Sequence, residues 1–196
     1  MKPDFIDQRE AHYQRFFGRL DQPVIHSLDV KSVHVDIYQF APDAGRPFWT
    51  LITGGMSDRR QPLPADPPAH IAPRAEILMY AQQPQDWMFS VLKGLAEMPF
   101  VDDTYLHWHH TVPNGQPMTA KPSVLTAFFF LPPYFEDEVF DTLEVGGDKV
   151  DFLMLLPITE SERQYAIEHG SQALEAVFMA DAEFDGVVDE ARQPLA

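Results

Sequence analysis

Two places in the chain concentrate side chains able to do chemistry. The first is His107-Trp108-His109-His110. Side chains on an extended strand alternate between faces, so His107 and His109 would share one, and two imidazoles so placed suit a transition metal. A catalytic zinc needs a third ligand and an open position, and Asp58 or Glu76 could supply a carboxylate. The chain has no His-Glu-x-x-His motif and no cysteine, so nothing in the spacing completes such a centre. Strand histidines making ordinary hydrogen bonds explain the pattern equally, and a metal-dependent hydrolase on His107 and His109 is carried only as an alternative.

The second place is a carboxylate–guanidinium group, Asp58, Arg59, Arg74 and Glu76, which flanks a loop holding Pro62, Pro64, Pro67, Pro68 and Pro73. If the strands on either side are neighbours, these charges meet at one rim of a sheet. Paired, they would hold the loop ends together. Unpaired, they would offer a recognition edge to a peptide or a partner protein. Ser57 lies beside them, but Gly55-Met56-Ser57-Asp58 lacks the Gly-x-Ser-x-Gly elbow of a serine hydrolase. Gly54-Gly55 is not followed by the Gly-Lys-Ser/Thr of a phosphate loop. No residue is therefore assigned a catalytic role, and no cofactor is expected.

The elements that position these groups follow from apolar patterning. Phe48 to Thr53 reads as a strand that ends at Gly54-Gly55, a structural turn whose glycines reach backbone angles closed to other residues. Residues 4–20 carry Phe5, Ile6, Tyr13, Phe16, Phe17 and Leu20 at helical spacing, closed by Gln22-Pro23. Val33, Val35 and Ile37 alternate as in a half-buried strand, and Pro42-Asp43-Ala44-Gly45 signals a hairpin. Ala75–Ala81, Tyr105–Val112, Val124–Leu131 and Val150–Leu156 read as strands. Phe128-Phe129-Phe130 is apolar on both faces and so belongs in the middle of the sheet. A helix over 87–98 is expected to start from Asp86 as N-cap and stop at Pro99. Thr159-Glu160-Ser161-Glu162 fits a capping box, Gly170 breaks the helix that follows, and the acidic tail from Asp181 is expected to fray. The order suggests one α+β domain over residues 1–196, a mixed, mainly antiparallel sheet with packed helices.

Composition narrows the function. The net charge is −16, and it is unevenly placed. Residues 1–134 hold 14 acids and 11 Lys/Arg, whereas residues 135–196 hold 16 acids and 3 Lys/Arg. Such a surface repels phosphate backbones, which argues against nucleic acid, and attracts a basic protein. No apolar run approaches a membrane span, and the first ten residues mix charges without an apolar signal core. The absence of cysteine excludes disulfides and thiolate chemistry. A cytoplasmic protein with no membrane partner is expected.

Several blocks, in order, carry a family resemblance. Leu51-Ile52-Thr53-Gly54-Gly55-Met56-Ser57-Asp58-Arg59 resembles the strand–turn signature of the suppressor of fused domain. Arg74-Ala75-Glu76-Ile77-Leu78, then Trp87 with Leu92-Lys93-Gly94-Leu95-Ala96, then His107-Trp108-His109 resemble the segments that follow it. The stretch Val150 to Glu160, with Gly170 to Leu174, resembles the last strand and helices, so the likeness spans about residues 48–178. It implies a binding protein rather than an enzyme. The animal members are two-domain regulators that grip Gli-type transcription factors, and this chain has the length of the first domain. Short bacterial members resemble stand-alone domains, many inferred to be immunity proteins that neutralise polymorphic toxins. The resemblance thus implies a non-enzymatic, bacterial, immunity-type protein that binds a toxin stoichiometrically, with a basic toxin domain as the partner that the charge favours. A peptide-binding regulatory adaptor is the second reading.

Overall fold

The structure, a computed structural model, describes residues 4–27, 32–119 and 123–196; Met1-Lys2-Pro3 of the charged opening stretch lie outside the described residues. Among the described residues, four helices and eight strands follow one another along the chain. Helix α1 (Phe5–Phe17) starts where the Asp4 carboxylate accepts the Ile6 N–H at 2.6 Å. It stops earlier than the Gln22-Pro23 signal predicts, because Gly18 takes φ +88° and its N–H closes the last turn on the Gln14 carbonyl. Strands β1 (Asp36–Phe40) and β2 (Trp49–Gly54) form the expected hairpin, and Asp43 binds the turn with its side chain. Then come β3 (Arg74–Ala81), α2 (Asp86–Val101), β4 (Thr111–Pro113), β5 (Leu125–Leu131), β6 (Glu144–Val145), β7 (Asp148–Thr159), α3 (Glu160–His169), α4 (Ser171–Ala180) and β8 (Val187–Val188).

The main sheet runs β1-β2-β3-β7-β5-β4. All its neighbours are antiparallel except β3 and β7, which run parallel at its centre; β8 adds a second parallel pairing to β3. The central strands are apolar on both faces because both faces are covered. Phe152, Met154 and Leu156 of β7, with Phe129 and Leu131 of β5, pack toward α1, α3 and α4, against Tyr13, Phe17, Leu174 and Phe178. Leu153, Leu155, Phe128 and Phe130 pack on the other side against Met88, Leu92 and Leu95 of α2. Val33 and Val35 join this second core although regular pairing starts only at Asp36. The α+β class and the mixed, mainly antiparallel sheet are as the sequence predicts.

Three local expectations fail for identifiable reasons. Tyr105–His110 is not a regular strand: β4 covers only Thr111–Pro113, and although the His109 N–H and the His110 carbonyl still bond to Phe130 of β5, His109 sits at φ +69° in a turn. Pairing of β5 with β7 ends at Leu131–Met154, and the Trp108 indole donates to the free Phe152 carbonyl at 2.8 Å. Pro99 does not stop α2. It sits in the final turn, where losing one N–H costs one bond, and the helix closes two residues beyond it when Asp102 N–H reaches the Met98 carbonyl. Asp86 is the first helical residue of α2, and Gln85 holds the cap position. The tail from Asp181 is docked against the fold. Its β8 pairs with Tyr80 and Ala81, Arg192 forms an ion pair with fully buried Glu162, and the Leu195 N–H binds the same carboxylate at 3.0 Å.

Glu162 closes the capping box that the sequence predicts and also anchors the tail. Burial pushes its carboxyl up, but Arg192 and the Thr159 and Leu195 N–H groups outweigh that and hold it below the ordinary carboxylate range. A carboxylate whose folded-state value is lowered stabilises the fold above its unfolded value of about 4.3, and the contribution disappears as pH falls through the folded value. Limited proteolysis over a pH series should therefore show residues 181–196 released in acid below about pH 4. Arg192→Ala, which strands Glu162 without its cation, should lose about 3–5 kcal/mol in urea denaturation.

Candidate functional site

The sheet rim where β2 ends carries the carboxylate–guanidinium group. Gly55 takes φ +116°, and a Cβ there would lie 2.0 Å from the His34 carbonyl oxygen. Only glycine allows that turn. The turn aims its backbone N–H groups at Glu76 on the neighbouring strand. Glu76 is fully buried, and its Oε1 accepts the N–H of Gly55 and of Ser57, each at 3.0 Å, and the Ser57 hydroxyl at 2.6 Å. Its Oε2 accepts the Thr53 hydroxyl at 2.6 Å, while Thr53 Oγ1 itself accepts the Ile77 N–H.

The cation facing this carboxylate comes from α1. Arg9 is 2 % exposed, its Nε lies 3.7 Å from Glu76 Oε1, and its Nη1 pairs with Asp58. Burial raises the Glu76 carboxyl above the ordinary range, against the pull of Arg9 and the hydroxyl and amide donors. Burial also works against the Arg9 charge, but Glu76 and Asp58 outweigh it and hold the guanidinium protonated. The Tyr13 hydroxyl, one helical turn along, donates to the Thr53 carbonyl at 2.8 Å.

Three of the four flanking charges, Asp58, Arg74 and Glu76, are thus paired, though not with one another. Arg74 is buried, donates to the Ser57 carbonyl at 2.7 Å and pairs with Asp148 at 2.9 Å, where Arg60 also binds. Asp58 and Arg59 are the two that reach the surface, the latter over the Phe100 ring at 5.3 Å. Ser57 is buried beneath them, with both its N–H and its hydroxyl spent on Glu76. His107 and His109 do not converge. His107 is buried 3.4 Å from Asp151, while His109 pairs with Glu175 of α4 at 2.8 Å. The turn at His109 that replaces the expected strand is what separates them.

Two features were not singled out from the sequence. Arg9 is one; its signal was a charged residue on the apolar stripe of α1, three and four positions before buried His12 and Tyr13. The other is a groove of about 400 Å³ at the docked tail, with Leu125, Leu156 and Phe184 among its walls and Asp181, Glu183, Asp185 and Asp189 around it. Those four carboxylates were visible only as part of a diffuse negative charge. Most acids upstream of them in the last third are occupied internally: Glu136 with Arg46, Asp141 and Asp151 with Lys149, Asp148 with Arg60 and Arg74, Glu160 with Arg163, Glu162 with Arg192, Glu175 with His109.

The geometry ranks the substitutions. Glu76→Gln sets an amide donor among hydroxyl and N–H donors and leaves Arg9 without a fully buried counter-charge, so urea denaturation should show a loss of about 3–5 kcal/mol. Gly55→Ala should prevent folding at ordinary temperature, read as loss of the near-ultraviolet circular dichroism. Asp58→Ala removes the half-exposed partner of the buried Arg9, which keeps Glu76 as its counter-charge, so it should cost less than Glu76→Gln in the same denaturation.

Comparisons with known proteins agree with this architecture. The family model described as Suppressor of fused protein (SUFU) matches residues 31–193. No curated protein matches the chain in sequence. Among solved structures, a SUFU homologue from Neisseria gonorrhoeae FA 1090 is similar at TM-score 0.74 and 19 % identity, covering 98 % of this chain and 97 % of that one. The structure of a Sufu–Fu complex is similar at TM-score 0.75 and 15 % identity, covering 98 % and 93 %. Drosophila Suppressor of Fused is similar at TM-score 0.70 and 13 % identity, and the chain spans 51 % of that protein's chain. With the family model matching most of its length, the chain belongs to the suppressor of fused (SUFU) family.

Proposed function

We propose that this chain is a non-enzymatic binding domain that neutralises a basic protein, a polymorphic toxin domain, by one-to-one occlusion. The observation that carries this reading is the acidic groove at the tail. Asp181, Glu183, Asp185 and Asp189 surround it, and three of them also bind local backbone N–H groups through one oxygen. Their charge is left for an incoming cation, because ion pairs within the fold occupy the neighbouring acids instead. Apolar walls beside carboxylates suit the stem and head of lysine or arginine side chains. A similar fold occurs in a Sufu–Fu complex, which supports a protein as the partner.

Asp58 and Arg59 form the second proposed contact, beside the proline-rich loop, with Arg74 and Glu76 fixing the turn beneath them. A partner held there is positioned by a rigid corner rather than by mobile loop residues. No helix among the described residues is long and apolar enough to cross a membrane. The cytoplasm, where a toxin domain would meet its neutraliser, is the proposed site of action.

Co-expression with toxin domains encoded nearby tests the reading directly: one of them should co-purify in a one-to-one complex and lose its toxicity. Binding to none would end it. With that partner in hand, raising ionic strength should slow association steeply while dissociation changes little. Replacing Asp181, Glu183, Asp185 and Asp189 by their amides should lower the association rate by about tenfold or more. A rate indifferent to salt and to the amides would remove the groove from the binding surface.

A further inference from the structure

At the β1 edge of the sheet, far in sequence from the acidic tail, two imidazoles and a carboxylate converge. His26 Nδ1 and His34 Nε2 each lie 2.9 Å from the same oxygen, Asp36 Oδ1. All three candidate ligand atoms lie within 4.8 Å of one another. We propose that His26, His34 and Asp36 form a three-ligand site for a divalent transition-metal ion of the zinc type, with the remaining position open to solvent.

The backbone dictates this meeting. Ile25 and Ile37 exchange both backbone hydrogen bonds, at 3.0 and 3.1 Å, as an antiparallel pair. The next residues outward, His26 and Asp36, therefore face each other across the ladder, with Cβ atoms about 4.5–5.5 Å apart. His34 is two residues before Asp36 on the extended chain entering β1, so it projects from the same face. Two further bonds hold the two segments together and a third ties them to α2. The Ser27 hydroxyl donates to the Val35 carbonyl at 2.6 Å, Gln39 reaches the Pro23 carbonyl at 2.7 Å, and Lys93 of α2 donates to the His26 carbonyl at 2.8 Å. The ligands thus stand on a fixed register rather than on a free loop.

Ligands about 2.0–2.2 Å from a zinc ion at tetrahedral angles are about 3.4 Å apart. The separations of 2.9 Å are within half an ångström of that value. Each imidazole need only move its proton to the other ring nitrogen and open slightly from the carboxylate for the ion to replace two hydrogen bonds. Two nitrogens and one oxygen select zinc, cobalt, nickel or copper over magnesium or calcium, which prefer oxygen. His26 and His34 are 64 % and 51 % exposed, which leaves the fourth position accessible, while Asp36 at 15 % is held by its strand. The Lys93 ammonium interacts with Asp36 through space, so the site before binding combines one negative and one positive charge with two imidazoles.

The test uses the full chain purified without a histidine tag and stripped by a chelator. Calorimetric titration with Zn²⁺ should show one ion per chain, with no competition from excess Mg²⁺. Co²⁺ as a probe should give visible absorption bands of a low-symmetry, four-coordinate site. His34→Ala and Asp36→Asn should each weaken binding by more than the roughly 10–100-fold that loss of an outer-shell partner costs. Circular dichroism should be unchanged in both; if either fails to fold, His26→Gln supplies the same readout. Absence of Zn²⁺ binding, or binding that survives these substitutions, would overturn the proposal.

Discussion

A carboxylate sealed from water has to be met by donors on every lone pair, and much of this structure follows from meeting that demand at Glu76. The glycine turn exists in the form it does because two of the donors are the N–H groups of Gly55 and Ser57. Thr53 and Ser57 supply hydroxyls, and Arg9 brings the opposing charge from a helix that crosses the end of the sheet. Sequence, turn geometry and helix docking are thereby tied to one side chain. The arrangement also commits the Ser57 hydroxyl, which is a donor to a buried acid and an acceptor for Arg9.

The second constraint is the parallel pairing of β3 and β7 in an otherwise antiparallel sheet. Glu76 pairs in register with Phe152, so the charged hub lies one strand away from the most densely aromatic part of the core. With two strands buried on both faces, the domain needs helices on each side, and it obtains them from opposite ends of the chain and from its middle. The outer strands are where polar chemistry can reach solvent. One edge carries the His26–His34–Asp36 cluster, and the acidic groove lies beside β8 at the far end of the chain.

Most local signals in the sequence were sufficient for the elements they predicted. The capping box at Thr159, the Asp43 turn and the doubly apolar Phe128–Phe130 run each depend on residues close in sequence. What was not legible depended on distant partners. The pairing of Arg9 with Glu76 joins residues 67 positions apart in number, and nothing near Glu76 announces it. The acidic tail looks unfolded by composition, yet Arg192 finds Glu162 and turns the segment into part of the sheet. The histidine segment misled in the other direction: aromatic and β-branched residues read as strand, but the chain turns at His109 and Trp108 donates to the Phe152 carbonyl of a distant strand. For the four flanking charges, proximity to the turn was legible, and the burial of Arg74 and Glu76 was not.

Helix α1 lies outside the stretch, residues 31–193, over which the family pattern is recognised. It nevertheless supplies Arg9 to Glu76, Tyr13 to the Thr53 carbonyl, and Phe17 to the larger core. The recognisable family unit and the self-sufficient folding unit are therefore different lengths of the same chain. A fragment cut at the family boundary would retain the strand–turn signature and lose the cation that faces Glu76, leaving a carboxyl that burial already pushes up without its counter-charge, in a core with one wall removed.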